Sequence, residues 1–145
     1  MLYLKLIRAN NWIKNLFILL PLFFSGELFN LTKLSNTILV IIGFSLVTSF
    51  VYIINDIFDI NFDKNHQEKR FRPIASGRIS IKKSVIIGSL LLFIGFSVLL
   101  LCSWNAFLIS IIYVGLNLLY SSKLKHVSVI DFVIFNIKNS HLTFK

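Results

Sequence analysis

The stretch Asn55–Gly77, NDIFDINFDKNHQEKRFRPIASG, decides how this chain is read. It opens on three carboxylates, Asp56, Asp59 and Asp63. It then runs into the cations Lys64, Lys69, Arg70 and Arg72, with Arg78 one residue beyond. At about 100° per residue, the i, i+3 and i+7 spacing puts the three acids within about 60° of one another on a helix, with Asn55 at the edge of that face. Neighbouring carboxylates on such a face lie roughly 5–6 Å apart at Cβ. At an effective dielectric of ~20, an ionised pair at that separation repels by about 3 kcal/mol. Protonation, splaying into water or a bound cation must relieve the repulsion. An oxygen-rich group of this kind suits Mg²⁺, which takes one or two carboxylates together with phosphate oxygens and water. The following Arg and Lys residues suit the same phosphate, guanidinium as a fork and ammonium as a point charge. The plainer alternative is an acidic helix end followed by a solvated basic loop.

Outward from this stretch the chain is oily. Its 145 residues are 56% hydrophobic, and 15 Lys and Arg stand against six acids, for a net charge of +9. The mean hydropathy of +0.80 and the length of the apolar runs call for an integral membrane protein, all-α and built as a multi-span helical bundle. The positive charge falls between apolar spans, as in loops that face anionic lipid, so no nucleic-acid partner is needed to explain it. Cys102 is the only cysteine and lies within an apolar run, where it reads as a small buried hydrophobe. His66 has no second His or Cys beside it and reads as a loop residue.

About four spans are expected, near residues 13–29, 37–57, 84–102 and 105–121, with a motif loop over 58–83. The basic start and LFILLPLFF imitate a secretory signal, but further spans follow, which favours a retained first helix. Pro21 interrupts that first span and should free the carbonyl of Phe17. The run Ser84–Ser122 carries no charge. As one helix it would reach ~58 Å, about twice the hydrocarbon thickness, so it must fold as a hairpin around Ser103-Trp104-Asn105. Val127–Ile137 is apolar but too short to span and contains Asp131. Lys5, Arg8, Lys14, the cluster from Lys64 to Lys83, Lys123 and Lys125 all fall on one side, and Lys33 on the other. The positive-inside rule then places the N-terminus and the motif loop in the cytoplasm, at the cell (inner) membrane.

Two motifs are specific: N-D-x-x-D-x-x-x-D at Asn55–Asp63, closing an apolar span, and K-R-x-R-P-I-x-S-G at Lys69–Gly77. With them the chain resembles the UbiA-type intramembrane polyprenyl transferase family. WIKN at Trp12–Asn15, PLF at Pro21–Phe23, YSSKLKH at Tyr120–His126 and VID at Val129–Asp131 are similar to its decaprenyl-phosphate phosphoribosyltransferase branch. The resemblance implies a helical bundle open sideways to lipid, in which two aspartate-rich motifs hold Mg²⁺ on a diphosphate. Carried over, Asp56, Asp59 and Asp63 are the catalytic acids, and Asn55 joins them as metal ligands. Lys14, Asn15, Lys69, Arg70 and Arg72 grip phosphate. The implied partners are a diphosphate-bearing donor, such as phosphoribosyl diphosphate, and a polyprenyl lipid acceptor in the bilayer. A prenyl transferase acting on an aromatic acceptor is the near alternative.

Two departures stand out. Arg8-Ala9-Asn10-Asn11 replaces the Arg-Pro start usual in the branch, and no second aspartate cluster follows the first. The resemblance therefore implies an N-terminal half, and an inactive membrane fragment is a competing expectation. A transporter using membrane carboxylates is less suited, because these acids sit at a helix end beside a basic loop rather than at the midplane.

Overall fold

A computed structural model describes residues 1–122, and within them the regular structure is all helical, without strands. The expectations on Lys123, Lys125, Asp131, the 127–137 segment and the end of the YSSKLKH motif lie outside the described residues. In chain order, α1 (Leu2–Leu6) leads into a 3₁₀ helix (Ala9–Leu19) and α2 (Leu20–Phe24). The long α3 (Leu31–Phe58) and short α4 (Ile60–Lys64) follow, then a 3₁₀ turn (Lys69–Phe71), α5 (Ile81–Cys102) and α6 (Trp104–Ser122).

Among the described residues, three helices are long and apolar enough to cross a membrane: Leu31–Phe58, Ile81–Cys102 and Trp104–Ser121. Their ends follow from local chemistry. Asn30 caps α3, its Oδ1 accepting from the Lys33 N–H, and Ser80 Oγ does the same for Lys83 at the start of α5. Before α3, Glu27 is held below the usual carboxylate range by a 2.6 Å hydrogen bond from Lys33 Nζ, with Asn30 assisting. At Ser103 the backbone is extended (φ −163°, ψ 119°), and Ser103 Oγ accepts from the Ala106 N–H as α6 begins.

The first apolar segment departs from the single helix expected over 13–29. It is an eleven-residue 3₁₀ helix followed by five residues of α-helix. Pro21 lies in the first turn of α2, where its missing N–H leaves no internal bond broken. The Phe17 carbonyl, expected to be freed, accepts the Leu20 N–H instead. Because a 3₁₀ helix rises ~2.0 Å per residue against ~1.5 Å for an α-helix, these sixteen positions extend about 30 Å, the thickness of a hydrocarbon core. Its outward side carries Ile13, Phe17, Phe23 and Phe24, all exposed.

Packing centres on α3, which meets α5 most extensively and α6 and the 3₁₀ helix on other faces. A Cβ on Gly95 would lie 2.8 Å from the Gly43 carbonyl oxygen and 2.9 Å from Val47 Cγ2. Only glycine permits this approach of α3 and α5. Beside it, Val47, Val51, Leu99 and Val114 form a buried cluster that joins α3, α5 and α6. The rings of Phe44 and Tyr113 (5.2 Å) and of Phe96 and Phe107 (5.4 Å) close its flanks. A second cluster, Leu6, Ile53, Ile74 and Ile79, lies at the motif-loop end and pins α1 and the loop to α3.

Gly95→Ala should therefore force α3 and α5 apart and lower the thermal unfolding midpoint of the solubilised chain. Gly115→Ala, whose Cβ meets nothing within 4 Å, should leave the midpoint unchanged. Equal behaviour of the two variants would refute the close-contact account.

Candidate functional site: a carboxylate–guanidinium cluster

The last turn of α3 carries Asp56 into the structure at 2% exposure, and α4 carries Asp63 to the same depth. Between them, α3 stops at Phe58, and Asp59 forms the junction with φ −89° and ψ 2°. The three acids thus do not share one continuous helix face, as ideal helical spacing predicts. Asp56 and Asp63 nevertheless converge, and they do so on an arginine. Arg72 Nη1 donates to Asp63 Oδ2 at 2.7 Å and to Asp56 Oδ1 at 3.1 Å. Arg8 Nη2 donates to the same Asp56 oxygen at 2.5 Å. Burying a carboxylate costs several kcal/mol unless it is paired and hydrogen-bonded, and both buried acids meet that condition.

Arg72 is delivered by a firmly held loop. Pro73, Ile74 and Ala75 are buried, and the Ser76 N–H bonds back to the Arg72 carbonyl at 2.9 Å while the Ile79 N–H bonds to that of Pro73 at 3.0 Å. Gly77 turns the chain with φ +73°, a conformation that side chains rarely adopt. His66 is a loop residue whose Nδ1 accepts the N–H groups of Glu68 and Lys69.

Arg8 is the residue that sequence reasoning missed. It has the only positive φ among the described non-glycine residues (φ 51°), a backbone state costing about 1–2 kcal/mol. The bend turns its guanidinium over the Tyr52 ring (4.9 Å to the centroid) and onto Asp56. Beyond Arg8, Trp12 Nε1 donates to Ser49 Oγ at 3.0 Å and Asn15 Nδ2 to Ser45 Oγ at 2.8 Å. The 3₁₀ form explains this register. Three of its residues climb ~6 Å, and so do four residues of α-helix, so 12 and 15 on one strand of the seam match 49 and 45 on the other. A polar seam inside an apolar run (Ser45, Ser49, Tyr52 and Asp56 at α-helical spacing) was the available signal.

The other candidates are more dispersed, and Asn15 sits beside Ser45, eleven residues along α3 from Asp56. Asn55 Oδ1 accepts the Ser121 hydroxyl, which joins the end of α6 to that of α3. Asn15 is engaged in the seam, while Lys14, Lys69 and Arg70 are exposed, and Arg70 stacks on Phe71 at 4.8 Å. Among the described residues, no three Asp, Glu, His or Cys side chains are grouped closely enough to hold a metal ion. The two converging carboxylates, Asp56 and Asp63, offer hard oxygen donors, the kind a divalent cation takes alongside phosphate oxygens.

An all-α bundle with three apolar spanning helices, bearing acids and arginines at one end, defines an integral membrane protein with a charged site at the edge of its spans. The chain belongs to the UbiA prenyltransferase family, whose profile matches residues 16–137. It is 30% identical over 131 residues to a decaprenyl-phosphate phosphoribosyltransferase of Mycobacterium tuberculosis, covering 88% of this chain and 43% of that protein. It is 35% identical over 129 residues to the uncharacterized protein y4nM of Sinorhizobium fredii, covering 89% of this chain and 25% of the relative. A digeranylgeranylglyceryl phosphate synthase of Saccharolobus solfataricus is 31% identical over 91 residues, covering 63% of this chain and 31% of that enzyme. The chain thus spans from a quarter to under half the length of these relatives.

Because one guanidinium nitrogen serves both acids, Arg72 and Asp63 should be energetically coupled. A double-mutant cycle with Arg72→Met and Asp63→Asn, read by thermal or denaturant unfolding, should give a coupling of about 1–3 kcal/mol. Additive single effects would show that the pair does not hold the site.

Proposed function

We propose that this chain is a UbiA-type membrane transferase that moves phosphoribose from phosphoribosyl diphosphate to a polyprenyl phosphate, with Mg²⁺ as cofactor. The observation that carries the reading is the convergence of Asp56 and Asp63 on Arg72 at the motif-loop end of the bundle. The similarity to decaprenyl-phosphate phosphoribosyltransferases over most of the chain supports the donor and acceptor classes.

In this reading an oxygen of the acceptor phosphate bonds to the anomeric carbon of the ribose. The bond from that carbon to the diphosphate breaks, and its electron pair leaves with the diphosphate. Bound Mg²⁺ would supply positive charge against the departing diphosphate. Asp56, Asp59, Asp63 and Asn55 would hold the metal. Arg72 is freed from its carboxylates to fork onto phosphate oxygens, and Lys14, Asn15, Lys69 and Arg70 add further donors. The motif loop and N-terminus face the cytoplasm of the inner membrane, on the positive-inside argument.

A second reading, half of a diphosphate site without turnover, is favoured by the lack of a three-acid group among the described residues. Two measurements on the purified chain separate these readings. Mg²⁺-dependent binding of pyrophosphate should be present and should fall at least tenfold in Asp56→Asn and in Asp63→Asn. Transfer of radiolabelled phosphoribose to a polyprenyl phosphate should be detectable under the first reading and absent under the second. Pyrophosphate affinity that ignores both substitutions would end the metal–diphosphate assignment.

A further inference from the structure

At the same end of the bundle, a pocket of about 470 Å³ opens beside α1 and is lined by Met1, Leu4, Lys5, Arg8, Asn10 and Asn11. This volume is within the range of small-ligand sites. Its lining holds two cations, two amides and two apolar side chains, with no carboxylate among them. Met1 and Leu4 are exposed apolar groups, whereas Arg8 keeps 26% of its side-chain surface accessible. Arg8 therefore belongs to two places at once: one guanidinium nitrogen is on Asp56, and the side chain forms a wall of the pocket.

We propose that this pocket takes the phosphate monoester head of a lipid, with Lys5, Arg8, Asn10 and Asn11 around the phosphate and the tail leaving over Met1 and Leu4. Charge supports this assignment: a monoester carries about −1.5 to −2 at neutral pH, met by Lys5 together with the Arg8 guanidinium, of which Asp56 engages one nitrogen. Position supports it too. Leu6, fully buried with Ile53, Ile74 and Ile79, fixes α1 against the end of α3 where the buried acids lie. The apolar outward side of the 3₁₀ helix continues away from the pocket toward lipid. Resting on the transferase reading above, the pocket is the acceptor subsite. Arg8 then stands between two anions that must approach each other, the acceptor phosphate and the donor diphosphate. The left-handed backbone that turns its guanidinium onto Asp56 also sets it in that position.

The test is equilibrium binding to the full chain in nanodiscs of zwitterionic lipid, corrected for partition into empty discs. The probes are farnesyl phosphate, farnesol, inorganic phosphate and Mg²⁺-pyrophosphate. Farnesyl phosphate should bind, farnesol should fail to compete, and inorganic phosphate should bind at least tenfold more weakly. Lys5→Gln, at an exposed position, should weaken farnesyl phosphate about tenfold and leave pyrophosphate affinity unchanged. Asn11→Leu should act in the same direction. Lys5→Gln without effect, equal weakening of both anions, or inorganic phosphate bound as tightly as farnesyl phosphate would each overturn the proposal. Lys5-dependent binding of farnesyl phosphate in a chain that ignores pyrophosphate would sustain the pocket and remove the donor reading instead.

Discussion

The structure depends on keeping two buried carboxylates paired with guanidinium groups at the edge of a membrane bundle. Asp56 and Asp63 come from different helices, and Arg8 and Arg72 come from segments on either side of α3 in sequence. One network of ion pairs therefore ties together the N-terminal segment, the end of α3, α4 and the motif loop. In a medium of low polarity, removing one partner leaves a charge without compensation, and that penalty exceeds the worth of any single surface pair. None of the buried side-chain polar atoms among the described residues lacks a hydrogen-bond partner. The charge cluster is consequently both the candidate chemistry and the constraint that orders the elements around it.

Apolar packing sets where that cluster sits. The Gly43–Gly95 approach brings α3 and α5 into near-backbone contact, and the Val47–Leu99–Val114 cluster adds α6. With those three helices in register, the end of α6 meets that of α3 through Ser121 and Asn55. The loop is held in turn by Ile74 and Ile79 against Leu6 and Ile53. Dispersion contacts and small residues do this work in place of the hydrophobic effect, which acts little between helices already in lipid.

The 3₁₀ helix shows local form yielding to a tertiary seam. Long 3₁₀ runs are uncommon because their hydrogen bonds are poorer. Here the cost is offset by three polar contacts to one face of α3, at Ser45, Ser49 and Asp56. The same extension lets a short segment cover the depth of the hydrocarbon, with its apolar side chains outward.

The sequence by itself determined the all-α membrane class, because long uncharged runs admit no other way to satisfy backbone groups in lipid. It also singled out the acids and the R-P-I-x-S-G turn, the polar interruption of an apolar chain, but not Arg8. Only the tertiary structure decided how the acids meet. Helical spacing placed three on one face, yet the helix ends before Asp59, and Asp56 and Asp63 are brought together by Arg72 from nine residues beyond Asp63. Arg8 and its seam were likewise a tertiary outcome. Its partner lies 48 residues away, and local propensity carries no information about a contact that only the packing of α1 and the 3₁₀ helix against α3 creates.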